Sequence, residues 1–182
     1  MANRLTKIYT RTGDDGTTGL ADGSRAAKDD MRFEVLGGLD ELNSLVGLIM
    51  VHAEPNVPPE LARIQNQLFD VGAELAIPGA ERTRSADVAW LEDSLDGYNA
   101  DLPALKEFIL PGGGAAATVC HLGRAVCRRT ERRLVSLGRE EALNPQTLRY
   151  LNRLSDLLFV LARVLARRDT GGDVLWQPRP PE

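Results

Sequence analysis

A break in the chain followed by a long helical repeat, between Phe108 and Arg133, constrains the fold most. Pro111 and the three glycines after it are unsuited to a helix interior, because proline lacks a backbone donor and glycine adopts backbone angles closed to other residues. Beyond this break, small and apolar side chains recur at helical spacing. They predict one buried stripe: Ala116, Val119, Cys120, Val126, Cys127, Thr130, Leu134 and Leu137. The sequence therefore predicts a turn followed by a long amphipathic helix.

The same helix carries a charged face. It covers a sector of roughly 100° over about 12 Å of helix, and it consists of Arg124, Arg128, Glu131 and Arg132. Neighbouring guanidinium groups repel one another unless an anion lies across them, and arginine binds phosphate oxygens in pairs. A solvated basic face has the same pattern. The residues alone leave both interpretations open.

Four further segments have a helical period, and they predict helices over residues 29–53, 59–77, 86–99 and 145–168. Asn144 and Pro145 form a start signal, since asparagine caps helices and proline suits the first helical position. The last helix is expected to bury Leu148 with the leucines that follow it. Because no alternation of strands and helices occurs, the sequence predicts an all-α fold, an antiparallel five-helix bundle.

We expect a single domain over residues 1–182. It comprises an N-terminal loop over 1–29, the bundle over 30–168 and a tail over 169–182. The loop shows neither a helical nor a strand period, and glycines alternate with threonines and acids in it. Backbone N–H groups, hydroxyls and the lone Lys28 would suit a phosphate, although a flexible tail has similar composition. The absence of GKS and GKT excludes a Walker-type loop.

Composition restricts the partners. A net charge of −4 argues against a general nucleic-acid binder, which needs a wide basic surface. Cys120 and Cys127, seven residues apart on the buried stripe, are expected to be reduced core thiols of a reducing compartment. The first residues lack a signal-peptide pattern and the apolar runs are short, so a cytoplasmic protein without a membrane partner is expected.

The sequence lacks the residues that histidine-rich metal sites and covalent catalysis require. His52 and His121 are too few for a histidine-rich metal site, and no HExxH motif or nucleophilic triad occurs. His121 is interpreted as a plain helix residue. What remains is a phosphate site, in which Asn152 and Asp156, one helical turn apart, can orient a hydrated Mg²⁺.

Five blocks in order, KIYTRTGDDGTTGL, DELNSLVG, FILPGG, GRAVCRRTERR and LNRLSDLLF, resemble the PduO-type ATP:corrinoid adenosyltransferases. The resemblance implies a five-helix bundle that forms a homotrimer with active sites between subunits. It also implies transfer of the 5′-deoxyadenosyl group of ATP, with Mg²⁺, to the cobalt of cob(I)alamin, which is obtained from cob(II)alamin, and release of triphosphate. A flavin reductase and an adenosylcobalamin-dependent enzyme are then candidate partners.

The resemblance also implies residue roles. The ATP-binding residues would be Thr10, Arg11, Thr12, Gly13, Thr17, Thr18, Lys28, Arg128, Arg129, Glu131, Arg132 and Asn152. Phe108, Arg128 and Asn152 would be catalytic, with Asn152 near the Mg²⁺ on the ATP phosphates. Phe108 would occupy the lower face of the corrin, and Asp40 and Arg124 would form an ion pair across the subunit boundary. Asp15 departs from the family pattern, in which many relatives carry lysine, so no phosphate contact is expected from it.

Two alternatives stay open. A trimeric bundle of this kind is also suited to carry finished adenosylcobalamin to a dependent enzyme without catalysing its synthesis. A bundle that only mediates interactions, with an incidental basic face, would not bind ATP.

Overall fold

A computed structural model describes residues 9–77 and 79–179. It contains five helices: α1 (Met31–Ala53), α2 (Glu60–Ala76), α3 (Ser85–Ala100), α4 (Ala115–Leu137) and α5 (Pro145–Thr170). The all-α prediction is confirmed, and the ends of the four helices given bounds from the sequence lie within two residues of their predictions. Asn144 caps α5 as expected, because its side chain accepts a hydrogen bond from Gln146 N at 2.9 Å.

The helices pack side by side in the order α2, α1, α4, α5, α3. α4 therefore lies at the centre, between α1 and α5, and its predicted stripe faces the core. Cys120 and Cys127 are free, buried thiols, as predicted. Their Sγ atoms each lie 3.1 Å from a carbonyl oxygen of α5.

Leu148 is not buried, and its predicted place in the core is wrong. Leu148 is 37% exposed to solvent. It lies in the first turn of α5 and lines an open groove with Val135 and Leu143. The core begins one residue earlier, at the fully buried Thr147.

The N-terminal loop contains two short strands, so the expectation of no strand there is wrong. β1 (Thr17–Gly19) pairs antiparallel with β2 (Arg25–Ala27), with Thr18 opposite Ala26. The turn between them is closed by Asp22, whose carboxylate accepts from Ser24 N at 2.9 Å and from Ser24 Oγ at 2.6 Å. Three-residue strands are too short to show an alternating pattern, and this turn rather than periodicity sets their pairing.

A close approach of α1 and α4 depends on Gly38. A Cβ atom there would overlap the Thr130 side chain, whereas a Cβ atom at Gly37 would meet nothing within 4 Å. Thr130 is fully buried and donates to Val126 O at 3.0 Å. Glycine is therefore required by packing at one of the two positions only.

The turn before α4 is tied to the C-terminal segment. Leu110 N donates to Val174 O at 2.8 Å and Trp176 N donates to Phe108 O at 2.8 Å. Gly113 has a φ of 90° and lies so close to Ala166 of α5 that no side chain would fit. The segment after α5 is thus fixed beside Phe108.

By length and composition alone, α1 is apolar enough to cross a membrane, contrary to the expectation from the short apolar runs. Core helices of soluble proteins pass the same test. Val35, Leu42 and Ile49 of α1 are fully buried in the bundle. One face of α1 is thus part of the core of this fold.

Candidate active site

An open pocket of about 460 Å³ lies beside the turn that precedes α4. Linker residues 105–109, His121 and Arg124 of α4, Phe159 of α5 and Trp176 line it. Phe108 is 77% exposed, and its ring meets the Trp176 ring edge-on at 6.1 Å between centroids. An aromatic side chain this exposed, beside an apolar pocket, is typical of a ligand site.

Two buried polar atoms at this pocket have no hydrogen-bond partner within the described residues: Arg124 Nε and His121 Nδ1. The Arg124 guanidinium lies 5.9 Å from the centroid of the Phe159 ring, and the His121 ring meets the same ring edge-on at 6.1 Å. Burial lowers the pKa of His121, the positive charge of Arg124 lowers it further, and Asp173 opposes both. His121 is therefore a buried, neutral imidazole at the pocket wall.

The arginines of α4 divide into two groups. On the side facing α1, Arg129 forms an ion pair with Glu41, and Arg133 pairs with Glu34 at 2.8 Å. On the other side, Arg128 and Arg132 are exposed and have no carboxylate partner in the part of the chain that the structure describes. Arg132 Nη1 instead lies 3.2 Å from the Arg128 carbonyl oxygen.

These unpaired arginines and Arg124 form the charged face predicted from the sequence, which we call the arginine ladder (Arg124, Arg128 and Arg132). Glu131, on the same face, accepts a hydrogen bond from Asn152 Nδ2 at 2.9 Å. The side-chain oxygen of Asn152, Oδ1, is the other polar atom of this amide and can accept or bind a ligand. Glu131 therefore fixes the orientation of Asn152 toward the ladder.

Asp156 does not form a common Mg²⁺ site with Asn152, although the two were predicted to act together. Its carboxylate pairs with Arg153 at 3.1 Å, and Arg153 also pairs with Glu92 of α3 at 2.8 Å. Among the described residues, no group of three or more histidine, cysteine or acidic side chains is placed to hold a metal ion. The donors fit a metal that arrives on phosphate oxygens, with Asn152 as one protein ligand, better than a metal held by the protein alone.

The N-terminal loop gathers the predicted phosphate contacts into a small space. Thr10 Oγ1 and Thr12 Oγ1 lie 2.9 Å apart. A Cβ atom at Gly13 would lie 3.3 Å from Lys28 Nζ, so the lysine folds over this glycine. Arg11 has a φ of 62° and its guanidinium lies 5.6 Å from the Tyr9 ring.

Asp15 holds the loop rather than facing a ligand. Its carboxylate accepts from Thr17 N at 2.9 Å and from Thr17 Oγ1 at 2.8 Å, and these hydrogen bonds lower the pKa of Asp15. Arg25 also bonds Thr17 Oγ1, through Nε at 3.1 Å. Thr17 is thus engaged inside the loop, while Thr18 lies in the middle of β1.

One chain does not assemble the whole predicted site. From residue 10 to residue 28, no hydrogen bond or ion pair of the described structure reaches α4. The loop instead bonds to the end of α2, where Ala21 N lies 3.3 Å from Ala76 O. Asp40 is exposed, and within the described chain its side chain forms no ion pair with Arg124.

Three residues of this pocket, His121, Phe159 and Trp176, were not among the site residues predicted from the sequence. A helical signal existed for the first two: His121 precedes Arg124 by three residues, and Phe159 follows Asn152 by seven, so each shares a face with a predicted site residue. Trp176 N bonds the carbonyl oxygen of Phe108, 68 residues earlier in the chain, and the sequence shows no signal for such a distant backbone pairing.

Comparison with known proteins decides the family. The family model described as "Cobalamin adenosyltransferase" matches residues 8–165. The chain belongs to this cobalamin adenosyltransferase family. It is 57% identical over 181 residues to the cobalamin adenosyltransferase of Cupriavidus metallidurans, with 97% of each chain covered. It is 44% identical to the corrinoid adenosyltransferase of Bacillus subtilis, over 94% of this chain and 92% of that protein.

A solved structure agrees with the family assignment. It is a phenylalanine-to-alanine variant of the PduO-type ATP:corrinoid adenosyltransferase from Lactobacillus reuteri, complexed with cobalamin and ATP. This adenosyltransferase superposes with a TM-score of 0.88 and 37% identity, and the match covers 94% of our chain and all of that chain. The fold and the order of helices are thus those of the family.

Proposed function

We propose that the protein transfers the 5′-deoxyadenosyl group of ATP to the cobalt of cob(I)alamin, giving adenosylcobalamin and triphosphate. The observation that carries this proposal is the position of Arg124. This residue lines the Phe108 pocket and is also the first residue of the arginine ladder. A flat apolar ligand and a polyphosphate chain would meet at this residue. The names and bound ligands of the relatives support the same reaction.

In this proposal the corrinoid occupies the Phe108 pocket. The exposed Phe108 ring would cover the lower face of the corrin and exclude a lower axial ligand. Trp176 fixes that ring edge-on, and the bond from Trp176 N to the Phe108 carbonyl, at 2.8 Å, fixes its backbone. An apolar lower face favours cob(II)alamin without a base on cobalt, which is easier to reduce to the nucleophilic cob(I)alamin.

The triphosphate would lie along the arginine ladder, with Arg128 and Arg132 as its main partners. Their guanidinium groups have no carboxylate in the described chain to neutralise them, so a polyanion would relieve their repulsion. Thr10, Thr12, Gly13 and Lys28 would complete the grip from the N-terminal loop. Each charge-assisted hydrogen bond to the departing triphosphate contributes roughly 1.5–3 kcal/mol.

The reaction needs no protein nucleophile, because cob(I)alamin attacks C5′ itself. The protein aligns cobalt with C5′ and binds the leaving group, and such alignment supplies at best about 7–11 kcal/mol. Mg²⁺ would neutralise charge on the phosphates. Asn152, whose amide nitrogen donates to Glu131, would bind it through its side-chain oxygen Oδ1.

The active unit in this proposal is a homotrimer with the loop of one subunit over the α4 face of the next. The separation of the loop from α4 within one chain supports this arrangement. The unpartnered Arg124 Nε and the exposed Asp40 support it too, since the two would pair across the boundary.

The test is an anaerobic reaction of purified protein with chemically reduced cobalamin and MgATP, followed by visible absorption. We expect the spectrum of light-sensitive adenosylcobalamin to appear. Tight binding of added adenosylcobalamin without synthesis would instead favour the carrier function. If the protein neither forms adenosylcobalamin nor binds it, both functions are contradicted.

A further inference from the structure

The buried imidazole of His121 lies at a place where the proposed chemistry has no use for it. Its side chain is 3% exposed, it lines the Phe108 pocket, and its Nδ1 has no hydrogen-bond partner among the residues described. A buried polar atom without a partner destabilises the folded state. A buried group of this kind therefore needs an explanation, and a role in a functional site is one.

Phe159 connects His121 to the arginine ladder. The His121 ring packs edge-on to Phe159 at 6.1 Å, and the Arg124 guanidinium lies over the same phenyl ring at 5.9 Å. Arg124 Nε has no acceptor in the described chain, and the Phe159 ring is a contact that the structure provides for this guanidinium. The position of Phe159 therefore affects the position of Arg124.

The charges around His121 oppose a second positive charge. Arg124 lies one helical turn away on α4, and Lys106 and Glu107 line the same pocket from the linker before α4. Asp173, after α5, is the acidic group on the other side. Its carboxylate is taken up by Arg163 at 3.2 Å and by Arg167 at 3.8 Å.

We propose that His121 is a positioning residue of the corrinoid site, whose neutral imidazole braces Phe159 and thereby holds Arg124 at the edge of the Phe108 pocket. The proposal rests on the proposed function, because it takes the pocket to be the corrinoid site. An imidazolium at this position would repel the Arg124 guanidinium across Phe159. Protonation of His121 therefore weakens corrinoid binding.

The experiment measures the Kd of cob(II)alamin anaerobically, at saturating MgATP, between pH 7.5 and 5.7. In the wild-type protein we expect the Kd to rise toward the acid end, as His121 becomes protonated. His121→Gln keeps a neutral side chain of similar reach. Its Kd at pH 7.5 is expected to be a few times higher, and it should no longer depend on pH in this range.

His52 provides the matched control, because it is the other histidine of the chain and lies exposed in the last turn of α1. His52→Gln should keep the wild-type rise. A rise of the same size in His121→Gln, or no rise in the wild type, would overturn the role of His121. If the wild-type protein fails to bind cob(II)alamin at any pH, the proposed function fails and this inference with it.

A second measurement does not depend on the folding of His121→Gln. The two imidazoles of the wild-type protein can be titrated by NMR, with the His52→Gln spectrum as the assignment. Addition of adenosylcobalamin should shift the His121 resonances and lower the pH at which they titrate. Unchanged His121 resonances in the bound state would also overturn the proposal.

Discussion

At the scale of single residues, neighbours in the sequence have different surroundings. Arg128 and Arg129 are adjacent in a block that the family resemblance treats as one binding unit. The structure turns Arg128 toward solvent without a carboxylate partner among the described residues, and it pairs Arg129 with Glu41 of α1. The two arginines are expected to contribute differently, with Arg128 binding phosphate and Arg129 joining α1 to α4.

Replacing Arg128 tests the phosphate role. Arg128→Ala should weaken MgATP binding roughly tenfold to a hundredfold, since one charge-assisted contact of about 1.5–3 kcal/mol is lost. The measurement is calorimetric titration with MgATP. Arg139→Ala, which removes an exposed charge just beyond α4, is the matched control and should bind normally. Equal affinities for the two variants would count against the ladder as the triphosphate site.

Replacing Phe108 separates the corrinoid role from the nucleotide role. Phe108→Ala should keep MgATP affinity, because the ring lines the proposed corrinoid pocket and is not one of the residues proposed to bind the triphosphate. It should lose most turnover on cob(II)alamin with a reductant, since the lower axial ligand can return to cobalt. Steady-state rates from cob(II)alamin provide the measurement. Wild-type turnover would refute the assigned role of the ring.

At the scale of helices and loops, α1 and α4 meet at Gly38. Gly38→Ala should destabilise the fold by about 1–3 kcal/mol, because the added methyl group overlaps Thr130. Gly37→Ala is the control, since its methyl group would point into open space and should add up to about 1 kcal/mol of helix stability. Denaturant unfolding of both variants measures this difference. The same sign for both would contradict the packing.

Glu74 joins α2 to the start of α5 and to the loop before α3. This carboxylate accepts from Arg82 N at 2.5 Å, from Thr83 N at 2.8 Å, from Asn144 Nδ2 at 3.1 Å and from the Thr147 hydroxyl. Burial raises the pKa of Glu74, but these hydrogen bonds outweigh it and the pKa is lowered from its usual value of 4.5.

A lowered folded-state pKa means that Glu74 stabilises the protein above its unfolded pKa, and that this contribution is lost as the pH falls through the folded pKa. Glu74→Gln should therefore be less stable than the wild type at pH 7, by about 1–3 kcal/mol, and the difference should narrow below pH 4. Thermal unfolding over this pH range provides the test. A difference that does not change with pH would show that the carboxylate charge is not involved.

Helical periodicity is a local property, and it explains which parts of the fold were predictable. Val126, Cys127, Thr130 and Leu134 share one face of α4 whatever surrounds them, so the buried stripe and the helix bounds followed from spacing. The strand pair around Asp22 depends on one turn and was missed. The partners of Arg129, Phe159 and Trp176 come from other parts of the chain, and spacing within one segment cannot identify them.

At the scale of the whole molecule, the loop and the ladder of one site are proposed to come from different subunits. Lys28→Ala removes a loop contact, and Arg128→Ala removes a ladder contact, so each homo-oligomer should have little activity. In trimers co-refolded from equal amounts of both variants, about one site in four combines an intact loop with an intact ladder.

Activity recovered in the mixture to about a quarter of the wild-type level would support a site shared between subunits. A mixture that is no more active than either variant alone would contradict it. Size-exclusion chromatography with light scattering establishes that the samples are trimers, and an affinity tag on one variant, which retains the other variant only in mixed trimers, establishes that the subunits have mixed.

The central claim is that the carbon C5′ of ATP becomes bonded to cobalt and that the three phosphates leave together. The most direct measurement uses ATP labelled with ¹³C at C5′, in an anaerobic reaction with cob(I)alamin. Carbon NMR of the product and phosphorus NMR of the supernatant are recorded together. We predict the label in the cobalt-bound carbon and one intact triphosphate for each adenosylcobalamin. An unlabelled corrinoid, or phosphate and pyrophosphate released directly in place of triphosphate, would contradict the account.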